Sequence, residues 1–201
     1  MNKKAVFIFG VAKGAKLKHT MKAISIAYTM HKGQKRKDGV TDYVEHVVGA
    51  AHLLLAHGII DDVILAVAIL HDLIEDTSFA YEDIEREFNK EIADLVWRLT
   101  KKDGSTEEKY YKNIEEDIRA LLGKAADRTH NVSDMVKVFS AEKMESYIIE
   151  TEKYILPAMK RARKISLEYG DVFVALGEHI KAVLLLAKEV VKLRGVLKEE
   201  K

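Results

Sequence analysis

The spacing of apolar residues along the chain predicts a protein built from helices. Apolar positions recur every three or four residues over long stretches, and no alternating apolar and polar run of strand type has any length. We expect the longest predicted helix to break near Gly123. The helices are predicted over residues 19–32, 43–57, 80–88, 89–100, 106–137, 141–168 and 172–197. The fold class expected from this periodicity is all-α.

One further helix is predicted to form the centre of the domain. Asp61 has the residue type of an N-cap, and it is followed by the run Val63 to Leu70, in which every residue is apolar. A helix that is apolar on all sides is buried on all sides. The surrounding helices are therefore expected to pack around this segment.

The amino-acid composition excludes several classes of function but does not identify the function. The chain has 201 residues, no cysteine, and 33 Lys and Arg against 32 Asp and Glu. The lack of cysteine excludes a disulfide scaffold, a thiolate metal site and a cysteine nucleophile. The near-zero net charge argues against a nucleic-acid binder that is basic throughout. No apolar run approaches the roughly 18 residues of a membrane span, so a cytoplasmic protein without membrane contact is expected.

The chain is predicted to divide into three parts. Residues 1–18 form an extension with five lysines and no acid, which could be an edge strand, a docked arm or a loosely held tail. Residues 19–168 form the main domain. Residues 169–201 carry a helix that either completes this domain or forms the seam of a homodimer.

The segment that directly follows the apolar helix contains the candidate chemistry. It places four ionisable residues directly after eight apolar ones: His71, Asp72, Glu75 and Asp76. Burying such groups costs free energy unless they are paired or bind a metal. His71 and Glu75 are four residues apart, as are Asp72 and Asp76, so each pair is expected to share a helix face. The alternative without a metal is that His71 and Asp72 form a solvated pair at the end of the helix, with Glu75 and Asp76 exposed.

Two other segments could complete a metal site. His46 lies on the second predicted helix, and Asp127 lies in a context of small residues with Asn131 one turn later. Two imidazoles and two carboxylates suit Mn²⁺, Fe²⁺, Zn²⁺ or Mg²⁺. Asp127 could instead form an ion pair with Arg128. Three other histidines have no predicted chemical role, and we interpret them as structural: His52, His57 and His130.

These segments together resemble the HD-type metal-dependent phosphohydrolases, and within them the stand-alone small alarmone hydrolases. Residues 28–37 are similar to the opening "A-x-x-x-H-x-G-Q-x-R-K" of that branch, and residues 71–77 match its "HDxxEDT". Residues 99–101 resemble its "TK" element, and residues 126–131 match "ADRxHN". The resemblance covers about residues 20–165 and implies an HD-domain helical bundle with an additional C-terminal helix.

The resemblance also implies roles for individual residues. The metal ligands would be His46, His71, Asp72 and Asp127, and the pair that orients and deprotonates the attacking water would be Glu75 and Asp76. Arg36, Lys37 and Asn131 would contact the nucleotide. Tyr43 is either a further nucleotide contact or a core aromatic. The chain departs from the usual motif in having Asp42 before Tyr43 and Val47 after His46, where the family usually has proline.

The implied reaction is hydrolysis of the 3′-pyrophosphate of guanosine tetra- or pentaphosphate, with Mn²⁺ as the expected ion. Four cations within residues 32–37 suit a substrate that carries several negative charges, although such a run is also typical of a solvated loop. The alternatives are an HD-type hydrolase of a nucleoside monophosphate, a cyclic nucleotide or NADPH, and a catalytically silent nucleotide-binding module. A nucleic-acid partner through the lysines of residues 1–18 is a weaker alternative.

Overall fold

The computed structural model describes residues 1–199, and this part of the chain is helical with no strand. A single antiparallel bridge joins Lys35 to Asp42 within the loop after the second helix. The predicted all-α class is confirmed. The helices are α1 Lys3–Gly14, α2 Lys18–Met30, α3 Val44–Ala56, α4 Asp62–Leu70, α5 Leu73–Asp76, α6 Tyr81–Glu87, α7 Lys90–Leu99, α8 Glu107–Glu115, α9 Ile118–Val138, α10 Ala141–Glu150, α11 Leu156–Ile165 and α12 Gly170–Glu199.

Helix α4 lies at the centre of the domain, as its composition predicts. Every residue from Ile64 to Leu70 is buried, and α4 packs against α2, α3, α7 and α9. The Asp61 side chain accepts the backbone N–H groups of Val63 and Ile64 at 2.9 and 2.8 Å, which confirms it as the N-cap. This arrangement brings α3 and α9 to the same end of α4.

The N-terminal segment is a docked helix and not a strand or a loose tail. Asn2 caps α1 by accepting the Ala5 N–H at 2.8 Å. Ala5, Ile8 and Ala12 are buried, and α1 packs on α2 and α3, with its lysines exposed to solvent. Its buried residues are spaced three or four apart, which is the helical period.

Two predicted helices have different boundaries from those expected. The break in the segment 106–137 lies at Glu116 and Asp117, and Gly123 lies within α9. A Cβ atom at Gly123 would stand 3.2 Å from Leu99 Cδ1, so the glycine permits α7 and α9 to approach closely.

The segment 141–168 contains a π-helical turn at Thr151–Ile155 between α10 and α11. This turn directly precedes the α11 start that contains Pro157, which has no N–H to donate to a preceding turn.

Helix α12 packs along α9, α10 and α11 and closes the bundle. Leu184 lies in the core, whereas Leu185 and Leu186 are 68% and 71% exposed. The homodimer that the sequence suggested for this helix stays a prediction. Across residues 1–199, no helix has both the length and the apolar character needed to cross a membrane.

A side chain from α4 caps the start of α2. Helix α2 has Leu17 at its N-cap position and no side-chain cap of its own. Asp62 supplies one by accepting the backbone N–H groups of His19 and Thr20 at 3.0 and 2.7 Å, and the Thr20 hydroxyl at 2.9 Å. Asp61 and Asp62 therefore cap two different helices, and this fixes α2 against the central helix.

We predict that Asp62→Ala lowers the free energy of unfolding by about 1–3 kcal/mol, because two N–H groups and the buried Thr20 hydroxyl lose their acceptor. Chemical denaturation measures this loss. Glu85→Ala, at an exposed position of α6, is the matched control and should change stability by less than about 0.5 kcal/mol. Equal effects of the two substitutions would contradict the capping role.

Candidate active site

Four of the predicted site residues meet at the end of α4. His46 extends from α3, His71 and Asp72 follow α4, and Asp127 lies on α9. The His46 and His71 Nε2 atoms are 3.2 Å apart, and Asp127 Oδ1 lies 3.2 and 3.5 Å from them. Asp72 Oδ2 lies 3.1 Å from His71 Nε2 and 3.5 Å from His46 Nε2. The structure thus places two imidazoles and two carboxylates around one point.

The orientation of the His71 ring shows that this cluster suits a metal ion. His71 Nδ1 lies 2.8 Å from the carbonyl oxygen of Ala68, which can only accept a hydrogen bond. Nδ1 therefore carries a proton, and when the ring is neutral its Nε2 lone pair faces the other three groups. His46, His71 and Asp127 present ligand atoms that all lie within 4.8 Å of one another. Nitrogen and carboxylate donors in this arrangement fit a divalent ion of the first transition row.

Charge compensation keeps the buried carboxylates ionised. Burial opposes ionisation of Asp127, but the Lys124 ammonium, 2.8 Å from its Oδ2, and the two imidazoles lower the pKa of this carboxyl well below its ordinary value. Burial also opposes ionisation of Asp72, and His71 and His46 lower its pKa well below the ordinary value. The two carboxylates in turn raise the pKa of His71, against the effect of burial. The cluster therefore attracts positive charge.

The backbone between α4 and α5 differs from the continuous helix that the sequence predicts. Helix α4 ends at Leu70, and the chain turns through His71 and Asp72 before α5 begins. Asp72 adopts φ −98° and ψ 2°, in the sparsely populated bridge region. This turn lets Asp72 join the cluster while Glu75 and Asp76 line the adjacent cleft.

Glu75 and Asp76 are held in place by backbone and side-chain contacts. The Glu75 carboxylate accepts the Lys101 N–H, and the Asp76 carbonyl oxygen accepts the Gln34 side-chain amide at 2.7 Å. Burial raises the pKa of the Glu75 carboxyl above its ordinary value, although the Lys101 N–H acts in the opposite direction. A carboxylate of raised pKa at the edge of a cleft is suited to accept a proton.

The cleft has a volume of about 510 Å³, and cations lie along the side contributed by the loop after α2. The Arg36 guanidinium donates to Asn131 Oδ1 at 2.8 Å and lies 5.9 Å from the centre of the Tyr43 ring. Lys37 Nζ stands 5.4 Å from the centre of the Phe139 ring. The four predicted nucleotide contacts, Arg36, Lys37, Tyr43 and Asn131, all line this cleft.

Tyr43 contacts both the cluster and the cationic loop. Its hydroxyl donates to Asp72 Oδ2 at 2.6 Å, and its ring stacks on His31 with centroids 5.0 Å apart. Burial and the Asp72 charge raise the pKa of this phenol, so the hydroxyl remains a donor. Tyr43 therefore holds a candidate ligand in position and also contributes a wall of the cleft.

Two residues of the site were missed by the sequence interpretation. Lys124 forms an ion pair with Asp127 at 2.8 Å, and the Nδ1 atom of His130, which we interpret from the sequence as structural, lies 3.1 Å from Nδ1 of His46. Each is three residues from Asp127 on α9, and this spacing is the signal that could have found them. The alternative ion pair of Asp127 with Arg128 is not formed, because Arg128 pairs with Glu150 at 2.8 Å.

The comparisons with known proteins agree with this architecture. A protein-family model described as an HD domain matches residues 23–153. A solved structure, reported as a metazoan ortholog of SpoT that hydrolyses ppGpp, superposes with a TM-score of 0.69 at 24% identity, covering 84% of this chain and 95% of that one. At this level of identity the superposition shows a common fold.

Curated relatives extend the similarity. A Synechocystis protein named as a probable guanosine-3′,5′-bis(diphosphate) 3′-pyrophosphohydrolase is 35% identical over an alignment of 151 positions that covers 70% of this chain and 20% of that protein. The Escherichia coli bifunctional (p)ppGpp synthase/hydrolase SpoT is 38% identical over an alignment of 127 positions that covers 58% of this chain and 18% of that protein. The chain thus spans about a fifth of the length of these two relatives.

A Drosophila melanogaster relative of similar size is also found. It is named guanosine-3′,5′-bis(diphosphate) 3′-pyrophosphohydrolase MESH1, and it is 28% identical over an alignment of 165 positions that covers 76% of this chain and 92% of that protein. Because the family model matches residues 23–153, which are more than half of the chain, this protein belongs to the HD-domain family.

Proposed function

We propose that this protein is a metal-dependent hydrolase that removes the 3′-pyrophosphate of (p)ppGpp, leaving GDP or GTP. The observation that carries the proposal is the buried cluster of His46, His71 and Asp127, with Asp72 beside it, which lies next to Glu75 and opposite a cationic loop. The substrate class is supported by relatives named as guanosine-3′,5′-bis(diphosphate) 3′-pyrophosphohydrolases.

In this proposal the metal ligands are His46, His71, Asp72 and Asp127. Their donor set fits a divalent ion, and we propose Mn²⁺ as the ion used. When bound, such an ion supplies Lewis acidity, which stabilises negative charge on phosphoryl oxygens and makes water more acidic. The ionised carboxylates and the fixed His71 ring are the chain's own contribution to holding it.

Glu75 takes the proton of the attacking water in this mechanism, and Asp76 helps to orient that water. The water oxygen forms a bond to the inner phosphorus of the 3′-pyrophosphate, and the bond from this phosphorus to the ribose 3′ oxygen breaks. Pyrophosphate leaves, and a proton restores the 3′-hydroxyl of the nucleotide. The raised pKa of Glu75 suits this role, because a base that is too acidic holds a proton poorly.

The nucleotide itself is bound, in this proposal, by Arg36, Lys37, Tyr43 and Asn131. Arg36 presents a flat guanidinium that can stack on a purine, and its bond to Asn131 limits its rotation. Lys37 adds a point charge for phosphate. We also propose a cytoplasmic location, as expected from the sequence. A measurement of the protein's mass in solution tests whether it forms a homodimer.

The decisive assay is incubation of the purified protein with guanosine tetraphosphate and Mn²⁺, with detection of pyrophosphate and GDP. We expect release of both products in equal amounts, and none when the divalent ion is removed by a chelator. Failure to release pyrophosphate beside an active reference enzyme would overturn the proposal. Cleavage of a nucleoside monophosphate, a cyclic nucleotide or NADPH instead would assign a different substrate to the same site.

We predict that His71→Ala and Asp127→Ala each abolish Mn²⁺ binding and turnover, because each removes a donor from a four-ligand set. Calorimetric titration of Mn²⁺ into metal-free protein measures the binding, and pyrophosphate release measures the rate. His57→Ala, at an exposed position just after α3, is the control and should behave like the parent. Parent-like metal content in either site variant would refute the ligand assignment.

We predict a different outcome for Glu75→Gln, which should keep Mn²⁺ affinity but lower kcat by about 100- to 10,000-fold through loss of the general base. Glu85→Gln on α6 is the matched control, since it removes an exposed charge of the same kind. A near-normal kcat in Glu75→Gln would mean that another residue accepts the proton. A loss of metal binding would mean that Glu75 is a ligand.

A further inference from the structure

His130 reaches from α9 to the back of the candidate metal cluster. Its Nδ1 atom lies 3.1 Å from Nδ1 of His46, and the two rings meet edge to face with centroids 5.0 Å apart. Among the charged groups around His130, the Asp134 Oδ2 atom lies 3.7 Å from this nitrogen, beyond hydrogen-bond distance. His46 is therefore the hydrogen-bond partner of His130 Nδ1.

Gly49 creates the space that this contact needs. It lies on α3, one turn after His46, directly beneath the His130 ring. A Cβ atom at this position would stand 2.1 Å from His130 Nε2 and 2.3 Å from its Cδ2, which no real packing allows. Any side chain larger than hydrogen at residue 49 would therefore displace the ring from His46.

The tautomer of His46 gives the contact a chemical meaning. His46 Nε2 is the atom that faces His71 and the two carboxylates, so it must present a lone pair in order to bind an ion. The proton of the neutral ring then resides on Nδ1 and needs an acceptor. His71 uses the carbonyl of Ala68 for this purpose, whereas the acceptor near His46 Nδ1 is a side-chain nitrogen.

We propose that His130 is a positioning residue that accepts the His46 Nδ1 proton, and that Gly49 is required for it to do so. This contact fixes the His46 ring with its Nε2 lone pair towards the ion. The inference rests on the metal ligands of the proposed function but not on the identity of the nucleotide. Partners of this kind orient metal-binding histidines and raise their affinity for the ion.

The experiment compares two substitutions of His130 by titrating Mn²⁺ alone into metal-free protein. His130→Phe keeps an aromatic ring but has no acceptor, and we expect Mn²⁺ affinity to fall by about 10- to 100-fold. His130→Asn places an amide oxygen near the former position of Nδ1, and we expect affinity within a few-fold of the parent. A packing role predicts the reverse order, because Phe fills the space better than Asn does.

Two further variants complete the design. Gly49→Ala should weaken Mn²⁺ binding as His130→Phe does, because its methyl group displaces the ring. His57→Phe, at an exposed histidine outside the site, should bind like the parent. Thermal unfolding of each metal-free variant verifies that it is folded, so that a loss of affinity can be assigned to the site.

The outcomes separate this inference from the proposed function. Parent-like Mn²⁺ affinity in His130→Phe, or equal losses in the Phe and Asn variants, would overturn the positioning role. A parent protein that binds no Mn²⁺ would overturn it as well, together with the ligand set. A parent that binds Mn²⁺ with the expected order of variants, but releases no pyrophosphate, would contradict only the proposed reaction.

Discussion

The burial of ionisable groups at the end of an apolar helix is the constraint on which the rest of the site depends. An unpaired charge in such a place costs several kcal/mol, so the fold has to supply partners from more than one element. Asp127 forms an ion pair with Lys124 of its own helix. Asp72 accepts a hydrogen bond from the Tyr43 hydroxyl, and the His71 ring donates one to the Ala68 carbonyl oxygen. Helices α3, α4 and α9 must therefore meet at one point, and their mutual packing serves the chemistry as much as the core.

The helical bundle could be predicted from local spacing, and the errors have physical causes. The apolar period located α2, α3 and α7 to within a few residues, because each packs one face on the core, and the uninterrupted apolar run located α4. The sequence does not predict the N-terminal helix, because the short apolar run Ala5 to Phe9 contains too few polar residues to distinguish a helix from a strand. Gly123 was expected to break a helix, but its lack of a side chain instead permits close packing against Leu99. Such a tertiary contact has no signature in local propensity.

The candidate site was predictable where its residues lie close together in the sequence. The motif from His71 to Asp76 could be found because four polar residues follow eight apolar ones. His46 and Asp127 were candidates from their own segments, and the resemblance then implied that they are ligands of the same ion. The positions of these side chains around one cleft agree with that prediction, and their roles stay predictions. His130 was missed because its partner, His46, is 84 residues away, so the contact itself has no local signal, and its spacing of three residues from Asp127 was the one indication that it lies at the same site.

The cations of the cleft are not equivalent, and this determines which of them can respond to a nucleotide. Arg128 lines the cleft, but its guanidinium donates to Tyr111, Glu150 and Thr151 and lies 3.8 Å from the centre of the Tyr147 ring. Freeing it to bind phosphate would leave the Glu150 carboxylate without its partner, so it serves to hold α9 against α10. Lys124 is committed to Asp127 in the same way. Among the cations that remain for an incoming phosphate are Arg36 and Lys37 of the loop after α2, whose contacts are with neutral groups that can be exchanged for a ligand at little cost. Arg128 and Lys124 thus hold the site together, and in the proposed function the loop cations recognise the substrate.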